Sequence, residues 1–182
     1  EPRLYPVVPD DLSATRAALE QAFAEADAVI TTGGASVGEL DLVKAAFEEL
    51  GGALEFWKIA IRPGKPFVFG RWQNKPLFGL PGNPVSALVT FLLLVRPAML
   101  RLQGATDLKL PTHPGVLTEP LKNPGDRRHF MRVAVDSEGQ VSSSGQQGSH
   151  VLSSLAKANG LVDVPPQSTL PAGATVSVMR WE

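Results

Sequence analysis

A run of apolar residues at positions 85–95 constrains the fold of this chain more than any other feature. Asn83 and Pro84 precede the run, and this pair is a strong signal for the start of a helix. Because apolar residues occupy nearly every side of that helix, we expect it to be buried in protein. The run is interrupted by Ser86 and Thr90 and is too short to span a bilayer.

Strands and helices alternate before this helix. Strand patterns cover residues 4–8, 27–31, 54–61, 66–72 and 75–80, and helical patterns cover residues 12–26 and 40–50. This alternation predicts an α/β fold with an open, mainly parallel sheet up to about residue 104. Pro97 is expected to kink or end the last helix.

The pattern changes after Leu108. Short strand-like pieces at residues 115–118, 129–135, 161–164 and 175–181 are separated by Pro, Gly and Ser. Such pieces are typical of a small β-barrel or sandwich. We therefore predict two domains, residues 1–104 and 105–182.

Composition narrows the possible partners. The chain has 17 Lys and Arg against 18 Asp and Glu, a net charge of −1, which gives no overall reason to expect a nucleic acid or a membrane as partner. Any anion site must be local. The sequence contains no cysteine, which excludes disulfides and thiolate metal sites and is compatible with a cytoplasmic protein.

Two glycine-rich turns are candidate anion sites, because each joins a strand to the N-terminus of a helix. If both turns lie at the carboxyl edge of one sheet, they form a ligand crevice. Glycine turns in α/β proteins also occur simply to reverse the chain, so that alternative stays open. The candidate ligand contacts are Thr32, Gly33, Gly34, Ser36 and Gly38 in the first turn and Pro81, Gly82, Asn83 and Ser86 in the second.

Charged residues accompany these turns. A strand period of two places Lys58 and Arg62 on one face, and the Pro-Gly turn brings Lys65 near them. Three positive charges close together could bind an oxyanion. A solvated strand face is the alternative. Asp10 and Asp41 each stand near the start of a helix, where a carboxylate either binds Mg²⁺ or caps the helix.

The second half also carries basic residues. Arg127, Arg128 and Arg132 cluster around one predicted strand, where they either reach a phosphate or solvate the barrel surface. The three histidines, His113, His129 and His150, lack metal-ligand spacing, so a structural or surface role is expected for them.

Taken together, four motifs in order resemble the MoeA family of molybdopterin molybdenumtransferases, which includes the E domain of gephyrin. They are TTGGASVGELD at residues 31–41, Lys58 followed by RPGKP at residues 62–66, GLPGNPVSA at residues 79–87, and GSHVLSSL at residues 148–155 with ANG at residues 158–160. The resemblance runs through essentially the whole chain. It implies that a MogA-like molybdopterin-binding domain is followed by the small C-terminal β-barrel of the family.

The resemblance also implies a reaction. Family members insert molybdenum from molybdate into adenylylated molybdopterin and release AMP, with a divalent cation such as Mg²⁺. By position, Asp10 and Asp41 match carboxylates of the reaction and are the predicted Mg²⁺ ligands, and Lys58, Arg62 and Lys65 match basic residues suited to molybdate and phosphate. A homodimer, and a MogA-type adenylyltransferase as partner, are expected from the same resemblance.

Other functions stay open at this point. They are a non-catalytic dimeric scaffold of the gephyrin type and another MogA-like activity on molybdopterin. Family members carry further residues before this region, including the opening strand and helix of the pterin-binding domain. An inactive, incompletely folded fragment is therefore one expectation for the 182 residues alone.

In a complete version of the enzyme, Asp41→Ala is expected to preserve folding and to abolish molybdenum insertion, because Asp41 stands beside the glycine turn. Molybdenum insertion measured with purified protein checks this. Normal turnover by the variant would remove Asp41 from the site.

Overall fold

A computed structural model describes residues 1–33 and 40–181, with the backbone alone for Leu40 and Asp41. The chain forms two compact units, one comprising Glu1–Lys58 and Pro66–Gly82 and the other Ile59–Lys65 and Asn83–Glu182. Each unit has its own sheet and its own core.

The helices and strands follow one another along the chain. They are α1 (Leu12–Glu25), β1 (Val29–Thr32), α2 (Leu40–Glu49), β2 (Ala53–Trp57), β3 (Ile61–Arg62), β4 (Val68–Trp72), β5 (Lys75–Leu80), α3 (Pro84–Thr90), a π-helical segment (Phe91–Val95), α4 (Arg96–Leu102), β6 (Thr112–Leu117), β7 (Leu121–Asn123), β8 (Arg128–Val135), β9 (Gln140–Ser143), α5 (Leu152–Ala156), β10 (Gly160–Val164), β11 (Ser168–Leu170) and β12 (Thr175–Arg180).

The first unit has a four-stranded sheet in the order β1-β5-β4-β2. β1 and β5 pair in parallel, and β4 is antiparallel to both of its neighbours, so β1, β5 and β2 share one direction. The α/β fold is confirmed, with one strand reversed. The reversal follows from the two-residue turn at Gln73 and Asn74, whose φ angles of 48° and 68° suit a hairpin rather than a crossover.

Two of the predicted strands are wrong. Residues 4–8 form no strand, because Leu4 and Val7 are each 98% exposed and only Tyr5 of the segment packs against the core. Residues 54–61 form two short strands rather than one. β2 ends before Lys58, because a φ of 70° is incompatible with an extended strand. β3 pairs in parallel with β8 within the second unit.

An aromatic cluster fixes the helices of the first unit. The Phe23 ring lies 5.9 Å from that of Phe47 and 5.2 Å from that of Trp72. Trp72 Nε1 donates to the Leu50 carbonyl at 2.7 Å, and Lys75 Nζ donates to the Phe23 carbonyl at 2.6 Å. Since Lys75 begins β5, the C-terminal end of α1 lies at the amino edge of β5. Its N-terminus, ~20 Å away, therefore extends towards the carboxyl edge.

The second unit contains a closed barrel. The ring runs β10-β12-β6-β9-β8, and β8 pairs back onto β10. β3 extends this sheet beside β8. The predicted barrel is thus confirmed, and its interior is filled by apolar side chains from alternate positions. The buried members are Leu117, Leu121, Met131, Val133, Val141, Val162, Val164, Val176 and Val178.

The predicted buried helix continues beyond Pro97 to Leu102. Phe91–Val95 form a π-helical segment. This wider turn accommodates Pro97, which has no N–H to donate to the preceding turn. Pro84–Leu102 has the length and apolar composition that would also suit a membrane span. Core helices pass the same test, and here Val89 and Leu92 pack with Leu161 of β10.

Gly64 provides a test of the packing in the second unit. It has a φ of +117°, and an added Cβ would lie 2.5 Å from Thr90 Cγ2. We expect Gly64→Ala to lower the free energy of unfolding by about 1–3 kcal/mol through overlap and backbone strain. Urea unfolding measures this change.

Two further variants separate the causes. Gly104 also has a positive φ of +82°, but no atom of the described residues lies within 4 Å of an added Cβ, so Gly104→Ala reports strain alone. Thr90→Ser removes Cγ2 and keeps the hydroxyl that donates to the Ser86 carbonyl. If Gly64→Ala is equally destabilising with and without Thr90→Ser, the overlap is not the cause.

Candidate functional site

Several of the predicted site residues lie at the carboxyl edge of the first sheet. Across the four strands, Thr31 of β1 is in register with Gly79 of β5, Gly79 with Val68 of β4, and Val68 with Trp57 of β2. The segments just beyond this row therefore lie at one edge. They include Thr32 and Gly33, Pro81 and Gly82, and Lys58.

The two glycine turns approach each other at this edge. Gly33 has a φ of +82°, and a Cβ on Gly82 would lie 3.4 Å from Gly33 Cα. Thr32 and Gly82 are exposed, whereas Pro81 is buried. The absence of side chains on the glycines leaves the backbone open to a ligand at the ends of β1 and β5. Gly34, Ser36 and Gly38 lie outside the described residues.

Lys58 lies at the end of β2 with an unusual backbone. Its φ is 70°, and its N–H donates to the Phe67 carbonyl at 3.0 Å, so the β2–β4 pairing holds it in place. The Lys58 ammonium lies 3.6 Å from the centre of the Trp57 ring, and that of Lys44 lies 5.5 Å from the same centre. These contacts place two positive charges on one exposed indole.

The carboxylates near α1 have different roles. Asp11 is the N-cap, and its Oδ1 accepts from the Ala14 N–H at 2.8 Å and from the Ser13 hydroxyl at 2.5 Å. The Ser13 hydrogen bond, followed by that of Ala14, lowers the pKa of Asp11. Asp10, the predicted ligand, is exposed beside this cap.

These carboxylates do not by themselves form a magnesium site. The side chain of Asp41 lies outside the described residues. Within residues 1–33 and 40–181, no group of three His, Asp or Glu side chains is arranged to hold a metal ion. Mg²⁺ usually keeps an octahedron of oxygen ligands, which Asp10 alone does not supply.

Arg132 of β8 is the most unusual residue of the second unit. Its side chain is 0% exposed. Nε donates to the Ser154 hydroxyl at 2.9 Å, and Nη2 donates to the carbonyls of Gln146 and Gly148 at 2.9 and 3.1 Å. In the described part of the chain Nη1 has no hydrogen-bond partner. The guanidinium is thus a buried cation that bonds only neutral oxygens.

The loop after β9 holds Arg132 rigidly. Gln147 Oε1 accepts from the Arg132 backbone N–H, and Gln147 Nε2 donates to the Arg132 carbonyl, both at 2.9 Å. The Ser144 hydroxyl donates to the same carbonyl at 3.1 Å. Ser154 is fixed in turn, because its hydroxyl donates to the Val151 carbonyl at 2.7 Å. The direction of the guanidinium is therefore set before any ligand arrives.

Other positive charges surround this strand. Arg62 of β3 is in register with His129 of β8. Burial, and then the charge of Arg62, lower the pKa of Arg132. Burial and the charges of Arg62, Arg132 and Arg127 lower the pKa of His129 to about 4. An arginine stays charged at physiological pH, so an excess of positive charge faces these buried groups.

The remaining predicted site residues lie in the second unit. Arg62 and Lys65 belong to the second unit and are exposed, whereas Lys58 belongs to the first, so the convergence of all three stays a prediction. Asn83 precedes α3 without capping it, and its Nδ2 donates to the Ser149 hydroxyl at 3.3 Å. Ser86 is 4% exposed within α3.

The sequence offers Arg132 only as one of three arginines that either reach a phosphate or solvate the barrel surface, and it does not single out Ser154. One signal for Arg132 was present, since an arginine between Met131 and Val133 in an apolar strand is expected to be exposed or to have a ligand. No local pattern marks Ser154, because its contact with Arg132 joins residues 22 positions apart.

Comparisons with known proteins agree with this architecture. Residues 1–101 match the model of a probable molybdopterin binding domain, and residues 114–181 match that of the MoeA C-terminal region, domain IV. The chain is 44% identical over 178 residues to the molybdopterin molybdenumtransferase of Haemophilus influenzae, which covers 94% of this chain and 44% of that protein. It is 32% identical over 189 residues to gephyrin of Dictyostelium discoideum, covering 89% of this chain and 26% of gephyrin.

Among solved structures, a molybdopterin biosynthesis MoeA protein from Pyrococcus horikosii is similar to this chain. The TM-score is 0.82 at 33% identity, over 97% of this chain and 42% of that one. The chain therefore spans less than half the length of each of these three proteins.

His129 generates a prediction about pH. Because its pKa falls from an ordinary 6.5 to about 4 in the folded chain, the unfolded chain binds more protons between these values. The free energy of unfolding should therefore decrease as the pH falls through this window, by up to about 3 kcal/mol. Urea unfolding at pH 7 and pH 4.5 measures the loss.

His129→Gln is the matched control, since glutamine does not titrate. We expect this variant to lose less stability than the wild type over the same pH range. Equal losses in the two proteins would contradict the assignment of a depressed pKa to His129.

Proposed function

The chain belongs to the MoeA family of molybdopterin-binding proteins, and from this membership we propose that it acts as a molybdopterin molybdenumtransferase. In the proposed reaction, molybdenum from molybdate is inserted into adenylylated molybdopterin and AMP is released. The match of residues 1–101 and 114–181 to two domains of this family supports the assignment.

The observation that carries the proposal is Arg132 Nη1, which is buried and has no hydrogen-bond partner among residues 1–33 and 40–181. A buried cation without a counter-ion is costly, and a dianion near it would gain roughly 4 kcal/mol per unit charge at 4 Å with an effective dielectric constant of 20. Molybdate is a tetrahedral dianion with oxygen acceptors for such a donor. We assign Arg132, oriented by Ser154 and Gln147, as the group that binds it.

The first unit is assigned to the pterin substrate. The exposed Thr32 and Gly82 and the half-buried Gly33 present backbone that suits a phosphate group, and the Lys58 ammonium supplies a compact positive charge at the same sheet edge. The predicted contacts at Gly34, Ser36 and Gly38 belong to the same turn. They remain predictions, as do the buried Pro81 and Ser86 and the exposed Asn83.

Further parts of the proposal rest on family membership. They are Mg²⁺ bound by Asp10 and Asp41, participation of Arg62 and Lys65, a homodimer, a MogA-type adenylyltransferase as partner, a cytoplasmic location, and a domain boundary near residue 104. A non-catalytic scaffold of the gephyrin type is the alternative, and the molybdate-binding and insertion measurements below distinguish the two.

Arg132→Met tests the proposal. Hydrogen bonds to charged groups contribute about 1.5–3 kcal/mol, so we expect at least a tenfold loss of molybdate affinity and a comparable or larger loss of molybdenum insertion. Calorimetry measures the affinity. The insertion assay uses the chain with any further residues of its natural polypeptide.

Arg128→Met is the matched control, because Arg128 lies on the same strand but is exposed and pairs with Asp163. Thermal unfolding establishes that both variants fold. Undiminished molybdate binding and insertion by folded Arg132→Met would refute the proposal.

A further inference from the structure

Trp57 exposes much of its indole ring. The other two tryptophans of the chain, Trp72 and Trp181, pack against hydrophobic cores, whereas Trp57 is 44% exposed. Tryptophan is highly buried on average, and an exposed aromatic ring is a common contact for a ligand. The position of this ring in the sheet therefore bears on what it binds.

The ring stands at the carboxyl edge of the first sheet. Trp57 ends β2 and is in register with Val68 of β4, which belongs to the same row as Thr31 of β1. With about 4.8 Å between neighbouring strands, β1 and β2 are ~14 Å apart across β5 and β4. The glycine turns after β1 and β5 thus share one edge with the indole, at a separation that a nucleotide-sized ligand spans.

The indole projects towards α2 rather than from the other face of the sheet. The Lys44 ammonium of α2 lies 5.5 Å from the centre of the ring. The preceding residue, Phe56, projects from the opposite face, where its ring lies 6.0 Å from that of Phe67 and 5.2 Å from that of Phe69. α2 begins at Leu40, after the first glycine turn, and Lys44 is about one helical turn further on. The exposed ring therefore shares its face of the sheet with the helix that follows that turn.

Positive charge accompanies the indole without covering it. The Lys58 ammonium lies over the ring at 3.6 Å from its centre, and that of Lys44 lies farther out. Both contacts together still leave 44% of Trp57 exposed. Nitrogen heterocycles such as purines and pterins stack on aromatic faces of this kind, and an ammonium beside the ring donates to their acceptors or phosphates. The surroundings of the indole thus favour a planar heterocycle that carries a negative charge.

We propose that Trp57 determines specificity by stacking against a nitrogen heterocycle of the substrate, either the adenine or the pterin ring. This assignment rests on the proposed function, because adenylylated molybdopterin carries both rings and each is linked to phosphate. The phosphate groups lie at the glycine turns, and the stacked ring lies beside β2. Trp57 contacts the substrate through its indole alone, holds no oxyanion and changes no covalent bond.

AMP and ribose 5-phosphate are the first probes, because they share a sugar and a phosphate and differ in the ring. Calorimetry measures both, with the chain and any further residues of its natural polypeptide. We expect Trp57→Leu to weaken AMP binding roughly tenfold or more, because the stacked base loses its partner. Ribose 5-phosphate has no ring to stack, so its affinity should change by less than about twofold. A pterin phosphate monoester, titrated in the same way, shows whether the pterin is the stacked ring instead.

Two further variants separate stacking from other effects. Phe56→Leu is the matched control, because Phe56 is 45% exposed on the same strand but projects from the opposite face, so the affinity for AMP and for the pterin phosphate should not change. Trp57→Phe keeps an aromatic ring and should retain the affinity within about fivefold. The stacked ligand should quench tryptophan fluorescence in the wild type, and this quenching should be absent in Trp57→Phe although the ligand still binds. Thermal unfolding establishes that each variant folds.

The proposal is overturned if Trp57→Leu binds AMP and the pterin phosphate as tightly as the wild type, or if the folded wild type binds neither. Equal weakening of ribose 5-phosphate, or equal weakening in Phe56→Leu, would also overturn it. The loss would then come from the charges at this edge or from the strand, and not from the indole ring. Molybdate binding by Arg132 is titrated separately, so a failure of the proposed function is distinguished from a failure at Trp57.

Discussion

The burial of the Arg132 guanidinium is the constraint on which the second unit depends. A cation of this kind is stable in a protein interior only if its donors are bonded and its charge is compensated. The loop at residues 144–149 and α5 supply neutral oxygens for Nε and Nη2 and fix the backbone on both sides. They leave Nη1 and the positive charge for a ligand. The hydrogen bonds of the surrounding loop thus keep one donor oriented.

The first unit positions its groups by strand register. Because β1, β5 and β2 share a direction, their carboxyl ends and the beginning of β4 meet at one edge. The reversal of β4 brings Phe67 beside Lys58 and so holds a strained lysine backbone at that edge. A single register shift would move these side chains to the other face. The sheet pairing is therefore part of the site.

Sequence patterns predicted much of this structure and missed particular parts for physical reasons. Periodicity located α1, α2, the buried helix and four of the five strands of the barrel ring, because one face of each is apolar. It did not locate β9. It failed at residues 54–61, where a positive φ at Lys58 divides an apparently regular pattern between two sheets. It also failed at residues 4–8, where an apolar pattern is exposed. The pairing of Arg132 with Ser154 depends on tertiary contacts that no local pattern encodes.

The most direct test of the central claim is to locate the oxyanion itself. Tungstate is a tetrahedral dianion of nearly the same size as molybdate, and its heavy atom is visible by anomalous scattering in crystals soaked at low concentration. The account predicts an anomalous peak within hydrogen-bonding reach of Arg132 Nη1, which disappears in Arg132→Met. Well-diffracting crystals with tungstate bound elsewhere, and no peak beside Arg132, would contradict it.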